Sequence, residues 1–593
     1  VKFMNRNTES HFSTIPSAEI QRSTFDRSCN IKTSFSSGEL IPFFLDEVLP
    51  GDTFDITTAK VVRSQTMVTP VMDNMYLDTY YFFVPNRLVW KHWNEFCGEN
   101  TSGAWSPSVE YDMPCLASPT NGFVSGTIAD YFGLPLGVEW NGMADLAPSA
   151  LPFRAYALIC NEFFRDENLS DPLLIPTEDA HQMGSNGNNY IVDCANGGKP
   201  FKVAKLHDYF TSALPMPQKG NAVGIPIDVP VFSGGNFPVK TMGFNEELMR
   251  LWNLDLDSSS FVMPSFYPSI FVQDIPKDFE NGNPMEFTPN GSAMGSLYTT
   301  NHEMNLVPSS AQSGSIYGST VAPFNHFVSI DGGTGTASAE FSVNELRLAF
   351  AYQRYLESLA RSGSRYTEML LGLFGVKSPD SRLQRPEYLG GNRIPINVHE
   401  VTNNAQTDSD WLGDIGAKSQ TNDQNHDFVK SFTEHGYIIG LMCVRYDHSY
   451  SQGMPRFFTR KKFTDFYNPK FANLGEVPIY KAEIFATEHN LRNKDDVFGY
   501  QEIWADYRVK PNIVTGEMRP DVKNSLSHWH LGDFYSEEPY LCDEWIRETS
   551  SNVDRVLAVT SDVAHQFWAD IFVRNKCTRC MPMYSVPGLI DHF

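Results

Sequence analysis

The most regular pattern of apolar and polar positions in the chain predicts a helix over residues 341–363. Ser342 stands three residues before Glu345, which is the spacing of a capping box at a helix start, and Gly363 is suited to the helix end. The apolar positions fall on one helical stripe: Leu346, Ala349, Phe350, Leu356, Leu359 and Ala360. Residues 378–391 are too rich in Pro and Gly to continue this helix.

Strands are predicted on both sides of this helix. Residues 75–84 are apolar on both faces, so we expect a strand that is covered on both sides. Residues 437–444 predict a second buried strand, and the alternation over residues 503–509 predicts a half-exposed one. Further strands are predicted at 53–62, 66–71 and 567–573, and further helices at 87–93 and 153–169. Because strands come both early and late, one sheet must combine both halves of the sequence, as in Greek-key and jelly-roll sandwiches.

Changes in amino-acid composition along the sequence divide the chain into four segments. They are an extended N-terminal arm (1–50), the first part of a β-rich body (51–220), an insertion (221–339), and the anchoring helix with the second part of the body and a C-terminal arm (340–593). The insertion is rich in Gly, Pro, Ser and Asn, and no Lys or Arg occurs between Lys277 and Arg347. A stretch without cations is poorly suited to nucleic acid phosphates, so we expect it to project outward.

Composition supports a large β-rich protein. The chain has 593 residues, 41% of them hydrophobic and 13% aromatic, and aromatic side chains favour strands. It contains no apolar run of about 18 residues and no secretory signal pattern, so we expect no membrane span and a soluble protein made inside cells. An odd number of cysteines, 9, is typical of reduced thiols rather than of a disulfide framework.

The formal net charge is −24, which excludes a general nucleic-acid binder with a basic surface. The two ends are nevertheless mildly basic. Residues 1–35 carry five Lys or Arg against three Asp or Glu, and residues 574–593 carry three against one. This distribution suits a protein that presents one face to a polyanion and another to solvent, and it is also within ordinary fluctuation.

Motifs for catalysis and for cofactor binding are absent from the sequence. It has no phosphate-binding loop, no dinucleotide fingerprint, no zinc-protease helix and no nucleophile elbow. Cys577 and Cys580 form a single CxxC pair, whereas tetrahedral zinc needs four ligands, so two structural thiols are favoured. His528 and His530 would share one strand face, where a packing role is favoured over a metal pair. We therefore predict no enzyme activity, no cofactor and no metal site.

A basic and aromatic segment supplies the best candidate functional residues. They are Arg456, Arg460, Lys461 and Lys462, interleaved with Phe457 and Phe463. Cations for phosphates and rings for unstacked bases are what single-stranded nucleic acid binding requires. Contacts between subunits also favour Arg and aromatic side chains, so the segment fits either role.

Several motifs, in order along nearly the whole chain, resemble the major capsid protein of the Microviridae, small icosahedral single-stranded-DNA phages, and most closely the gokushovirus branch. The resembling segments are residues 23–28 (STFDRS), 40–54, ending in LPGDTF, 81–90 (YFFVPNRLVW), 204–210 (AKLHDYF), 217–220, 346–350, 372–376, 385–391 (RPEYLGG) and 463–469 (FTDFYNP).

This resemblance implies an eight-stranded antiparallel viral jelly-roll β-barrel with very long loops, assembled into a T=1 icosahedral shell in the virion. It implies a circular single-stranded DNA genome against the inner wall, a small basic internal DNA-binding protein, other virion proteins, and assembly in the host bacterial cytoplasm. It also implies that the insertion forms protrusions at the threefold axes for attachment to a host receptor. The family has no catalytic residues.

Two other functions are compatible with the composition alone. One is a host-surface adhesin built on a β-sandwich, with the insertion as its binding surface. The other is a carbohydrate-active enzyme, which would need paired carboxylates about 5–10 Å apart. The sequence favours the capsid subunit because of the resemblance.

Overall fold

A computed structural model describes residues 21–101, 110–220, 343–404, 412–413 and 415–584, together with four strands between residues 270 and 308. The chain divides into two compact units, one formed by residues 1–223 and 350–593 and the other by residues 224–349. The smaller unit contains an antiparallel four-stranded sheet of its own. Its strands are Ile270–Phe271, Met285–Phe287, Gly295–Thr300 and Glu303–Pro308. Apart from these four strands, the residues of the predicted insertion, 221–339, lie outside the described residues.

Ten strands build the two main sheets of the larger unit. They are β1 (Ser23–Asp26), β2 (Cys29–Phe35), β3 (Ile41–Val48), β4 (Thr53–Ser64), β5 (Met75–Pro85), β6 (Glu387–Pro395), β7 (Val398–Thr402), β8 (Ile415–Ser431), β9 (Gly436–Tyr446) and β10 (Phe567–Arg579). The first three strands lie in the segment predicted to be an extended arm. Residues 23–48 pair with β9 and β10, far along the chain, and so belong to the sheets of the body, whereas residues 1–20 of the predicted arm lie outside the described residues.

The strand order is that of a jelly roll. In the first sheet β1 and β2 both pair with β10, and the order continues through β4 and β8 to β7. In the second sheet the order is β6, β5, β9, β3. All these pairings are antiparallel, and both sheets combine strands from the two ends of the sequence, so the predicted jelly-roll fold is confirmed.

The main core lies between the two sheets. It includes Ile56 of β4 and Ile571 of β10 from the first sheet, and Phe83 of β5 and Ile438 of β9 from the second, all of them buried. Burial along β10 alternates strictly from Phe567 to Cys577, as expected for a strand with one covered face.

The second sheet is covered on its outer face as well. Phe82 of β5 and Leu441 of β9 belong to another buried cluster, which they share with helix α1 (Leu151–Ile159). The prediction that residues 75–84 form a strand covered on both sides is therefore confirmed. A third, smaller cluster joins Phe210, from the connection between β5 and β6, to Phe498, from the connection between β9 and β10.

The remaining elements are short, apart from helices α2 (Val343–Ser362) and α3 (Tyr366–Phe374). The other helices are Asn86–Val89, Trp93–Phe96, Ile128–Tyr131, Tyr190–Asp193, Lys481–Ile484, Glu488–Arg492, Ala505–Arg508, Asp543–Ile546 and Ser551–Asp554. Two-stranded sheets pair Glu476–Tyr480 with Val497–Glu502, Ser449–Tyr450 with Asn512–Ile513, and Leu116–Ala117 with Gln182–Met183.

Several predicted elements differ from the structure. The helix expected over 87–93 is interrupted between Asn86–Val89 and Trp93–Phe96. The strand expected over 503–509 is the short helix Ala505–Arg508, because Trp504 adopts a left-handed conformation (φ 65°) that ends the preceding strand. The helix predicted to run to residue 169 ends with a π-helical turn at Cys160–Phe164. Residues 66–71 form only isolated bridges at Met67 rather than a strand.

A buried ionic cluster joins distant loops of the larger unit. His448 lies 2.9 Å from Asp533 through Nδ1 and 3.0 Å from Glu548 through Nε2, and all three side chains are buried. Lys205 lies 3.4 Å from the other oxygen of Asp533, which also accepts a 2.8 Å hydrogen bond from Tyr535. Burial alone would lower the pKa of His448, but the two carboxylates dominate and raise it to about 10.

The geometry predicts a pH-dependent loss of stability in His448→Gln. The His448 pKa is raised above its unfolded value near 6.5, so its stabilisation is complete below that pH and is lost as the pH rises towards about 10. Removing one partner of a buried ionic cluster costs about 3 kcal/mol or more at low pH. Calorimetric melting temperatures of the variant and the parent should therefore differ most at pH 6 and converge towards pH 9.

The matched control is His489→Gln. This histidine pairs with Asp496 at 3.0 Å on the surface, where its side chain is 74% exposed, so its loss should change the melting temperature little. A His448→Gln deficit that stays constant from pH 6 to pH 9 would contradict a charged His448 in the folded protein.

Candidate functional site

The basic and aromatic segment lies in the long connection between β9 and β10 and is built from short 3₁₀ turns. These are Arg456–Thr459, Phe463–Asp465 and Pro469–Phe471. Asp465 holds the second turn in place, because its Oδ2 accepts hydrogen bonds from the backbone N–H groups of Lys461 (2.9 Å) and Lys462 (2.8 Å). These two hydrogen bonds lower the pKa of Asp465.

Arg456 points into the protein. It donates a 2.9 Å hydrogen bond to the carbonyl oxygen of Pro478, and it lies 3.6 Å from the buried carboxylate of Glu483. Its guanidinium also lies 5.6 Å from the ring centroid of Tyr480. Burial raises the pKa of Glu483, and Arg456 acts in the opposite direction. The charge of Arg456 is therefore directed at an internal carboxylate.

Arg460 is held in the same way. Its guanidinium forms an ion pair with Asp506 and lies 4.1 Å from the ring centroid of Tyr507. The side chain is only 10% exposed. Both arginines therefore fix the segment to neighbouring elements, and neither is free to neutralise a phosphate.

The two lysines behave differently. Lys461 and Lys462 are exposed, and within the part of the chain that the structure describes they form no ion pair. Phe457 and Phe463 are exposed as well, by 52% and 77%. Four of the six candidate residues predicted from the sequence are therefore exposed at the surface.

The exposed rings form an aromatic patch, defined here as Phe457, Phe458, Phe463, Phe466 and Tyr467. Each of these side chains is at least half exposed. The rings of Phe457 and Phe458 lie 4.1 Å apart between centroids. Exposed aromatic side chains of this kind are suited to an interaction surface, because their contact with water is costly in free energy.

A cleft of about 400 Å³ lies behind the segment. Its charged lining residues are Arg456, Arg460, Lys494, Asp465 and Asp506, and Trp504 and Phe471 contribute to its apolar lining. Arg456 and Arg460 already face internal carboxylates, and the charge of Lys494 is balanced in part by Asp465, so the cleft has little net charge to offer to a ligand.

Sequence reasoning missed the acidic partners Glu483 and Asp506. They lie 27 and 46 positions from the arginines that they pair with, and no local spacing links the members of either pair. Only the fold of the connection around Glu476–Tyr480 and Val497–Glu502 brings them together. These contacts do not decide whether the segment binds another subunit or nucleic acid, and both roles remain predictions.

The cysteines and histidines that the sequence offered as candidate metal or redox residues lie in surroundings that suit a structural role. All nine cysteines are free thiols, with Cys577 buried in β10 and Cys580 exposed at its end. The strand predicted at His528 is instead a 3₁₀ turn (Ser527–Trp529), and the buried His530 lies 2.7 Å from the carbonyl oxygen of Met518. Within the described ranges, no group of His, Cys, Asp or Glu side chains has the arrangement of a metal site. A search of the same residues found no helix both long and apolar enough to cross a membrane.

Comparisons with known proteins agree over the length of the chain. The family described as capsid protein (F protein) matches residues 13–589. Capsid protein VP1 of Chlamydia phage 1 is 38% identical, over 98% of each chain. The proteins of the same name from Spiroplasma virus 4 and Bdellovibrio phage phiMH2K are 36% and 35% identical, over 94% and 100% of this chain.

The segments identified from the sequence alone thus lie within a match that spans the whole jelly-roll body. Members of this family are structural proteins whose copies build the shell of a virion, and a catalytic role is not part of that function. The chain belongs to the phage capsid protein (F protein) family, as the sequence resemblance predicted.

Proposed function

We propose that copies of this capsid subunit assemble into a T=1 icosahedral shell that encloses a circular single-stranded DNA genome. The observation that carries the proposal is a jelly-roll body within a match of 98% of the chain to a capsid protein of nearly the same length. Assembly takes place in the cytoplasm of the host bacterium. A small basic internal protein and other virion proteins complete the particle.

The charge of the chain supports the need for a basic partner. A formal net charge of −24 cannot neutralise the phosphates of a packaged genome, and packaged DNA is stable only when its phosphates are largely neutralised. The internal partner therefore supplies most of the positive charge. The subunit itself needs only local basic surfaces on its inner side.

The aromatic patch acts as a contact between subunits. Its rings are exposed, while the two arginines beneath it are occupied by Glu483 and Asp506. Fixed arginines give the patch a rigid base, so little conformational entropy is lost when the rings are covered. Exposed aromatic anchors on a rigid base are what energetically important interface residues have in common.

The insertion forms the protrusion at the threefold axis and attaches the particle to a host receptor. Residues 224–349 form a compact unit with its own sheet, and most of the unit is free of cations. A compact unit of this composition suits protein or carbohydrate recognition better than contact with DNA. Host binding, which is also an alternative function for the whole chain, is thereby assigned to the insertion alone.

Expression of the subunit with its virion partners tests the assembly proposal. Light scattering and negative-stain microscopy should show closed isometric particles of one size, because large, repeated interfaces close only with a defined symmetry. A species that remains a monomer or trimer in the presence of DNA and the internal protein would contradict the proposal.

The double variant Phe457→Ala, Phe463→Ala tests the subunit contact. Both rings are exposed, so the soluble subunit should melt at the parental temperature, whereas the yield of closed particles should fall about tenfold or more. Leu146→Ala is the matched control, since this exposed side chain (96%) is also apolar but lies outside the patch.

The double variant Lys461→Gln, Lys462→Gln separates the two roles of the segment. If the segment is a subunit contact, particles of this variant should retain the parental amount of DNA, measured by absorbance and phosphate analysis. Normal shells with less DNA would assign the segment to nucleic acid binding instead.

Deletion of residues 221–339 tests the attachment role. The body has its own core and its own sheets, so the shortened subunit should remain soluble and keep a cooperative melting transition. Labelled particles built from it should no longer adsorb to host cells. Loss of the soluble fold, or adsorption equal to that of the parent, would contradict the proposed role.

A further inference from the structure

The outer face of the first sheet carries aromatic rings and cations together. Its outward positions lie on β1, β2, β4, β8 and β10, and the strand registers place them in rows across the sheet. One row is Ser34, Trp568, Arg63 and Gln420, and the next is Lys32, Asp570, Val61 and Asn422. A third row is Asn30, Phe572, Ala59 and Gln424.

Two aromatic rings stand on this face. Trp568 and Phe572 project from β10 and are 45% and 46% exposed. They are four residues apart on one strand, which places them about 14 Å apart along it. Phe572 lies between the small residues Asn30 and Ala59 in its row, so its ring is not shielded from a flat ligand. Trp568 lies between Ser34 and Arg63 in the first row.

Cations surround the rings. Arg63 lies opposite Trp568, and Arg574 and Lys576 continue along β10 beyond Phe572. These three exposed side chains form no hydrogen bond and no ion pair of 4 Å or less within the described ranges of the chain. Lys576 does lie between Asp26 and Asp55 in the strand register, and its charge and that of Arg574 act on Asp26. Lys32, the fourth cation, lies 3.6 Å from Asp570.

The charge balance of this face is the reverse of that of the chain. Its outward positions carry five Lys or Arg against three Asp, on a protein with a formal net charge of −24. The cations are Lys32, Arg63, Lys418, Arg574 and Lys576, and the carboxylates are Asp26, Asp55 and Asp570. The face therefore complements a polyanion where the rest of the chain repels one.

An open cleft of about 780 Å³ lies beside Trp568, and Asp570 is the one carboxylate among its lining residues. Trp568, Arg63 and Lys32 contribute to its lining, and Gln420 and Asn422 of β8 line it as well. The amide side chains supply hydrogen-bond donors and acceptors that suit the edges of unpaired bases.

The second sheet differs from the first in how its outer face is covered. Its outer face is buried beneath α1 and the loops around it, whereas no described segment covers the outer face of the first sheet. In the part of the chain that the structure describes, the first sheet therefore presents rings and cations on an open face.

We propose that this face binds single-stranded DNA, with Trp568 and Phe572 as stacking platforms and Arg63, Arg574 and Lys576 as phosphate contacts. The inference rests on the proposed function, since the genome supplies the strand, and it assigns that strand to a particular surface. Rings stack on any base, so binding is independent of sequence and needs unpaired bases.

Purified full-length subunit and a labelled oligothymidylate of about 20 nucleotides provide the test, with fluorescence anisotropy measured over a series of salt concentrations. Trp568→Ala should weaken binding about tenfold or more, and Trp568→Phe should restore most of the affinity because Phe keeps an aromatic face. The triple variant Arg63→Gln, Arg574→Gln, Lys576→Gln should reduce the slope of log K against log salt by about 2. The same oligonucleotide in a duplex should bind the parent more weakly, since its bases are already stacked.

Phe374→Ala and the double variant Lys377→Gln, Arg382→Gln are the matched controls, because they remove exposed rings and cations outside the sheet. They should bind the oligonucleotide as the parent does. Unchanged binding by Trp568→Ala and by the triple variant would overturn the inference, and a simultaneous loss of particles in these variants would assign the face to a second copy of the subunit. A subunit that binds the oligonucleotide through this face but never forms shells would contradict the proposed function while the inference holds.

Discussion

The pairing of β10 between the N-terminal strands and β4 is the interaction on which the rest of the structure depends. Thr24 and Thr578 lie 554 positions apart in sequence, yet their hydroxyl oxygens are 2.9 Å apart. This pairing joins the two ends of the larger unit, so the strands, helices and connections between them, including the one that carries the aromatic patch, are enclosed in one long closure of the chain. Such long closures cost entropy before any contact forms, so extensive burial between the two sheets must offset that cost.

The interior between the sheets is not uniformly apolar. Lys60 of β4 is buried, lies 3.0 Å from Asp423 of β8, and donates a 3.2 Å hydrogen bond to Thr79 of the opposite sheet. On the second sheet, the buried Asp78 accepts hydrogen bonds from Arg393 and Arg445 on the two strands that flank β5. Buried ion pairs add little net stability but are costly to break, so they oppose shifts in strand register.

The two sheets have different roles in the subunit because their outer faces differ. The outer face of the second sheet is consumed by internal packing, which anchors α1 and the loops around it. The outer face of the first sheet stays exposed and carries rings and cations on an otherwise acidic chain. The aromatic patch lies on a connection fixed by internal ion pairs, which suits contact with a rigid neighbouring subunit.

The sequence by itself determined the features that depend on local periodicity. The α2 helix, the doubly covered β5 strand and the inward residues of β10 could all be predicted, because spacing along the chain sets which side chains share a face. The family resemblance added the jelly-roll strand order. Only the tertiary structure decided which cations of the segment 456–462 are free. Glu483 and Asp506 neutralise two of them through contacts made by folding, and no spacing in the sequence encodes such pairs. It likewise decided that Trp568, Arg63 and Lys32 meet on one surface, because strand pairing joins residues that are hundreds of positions apart.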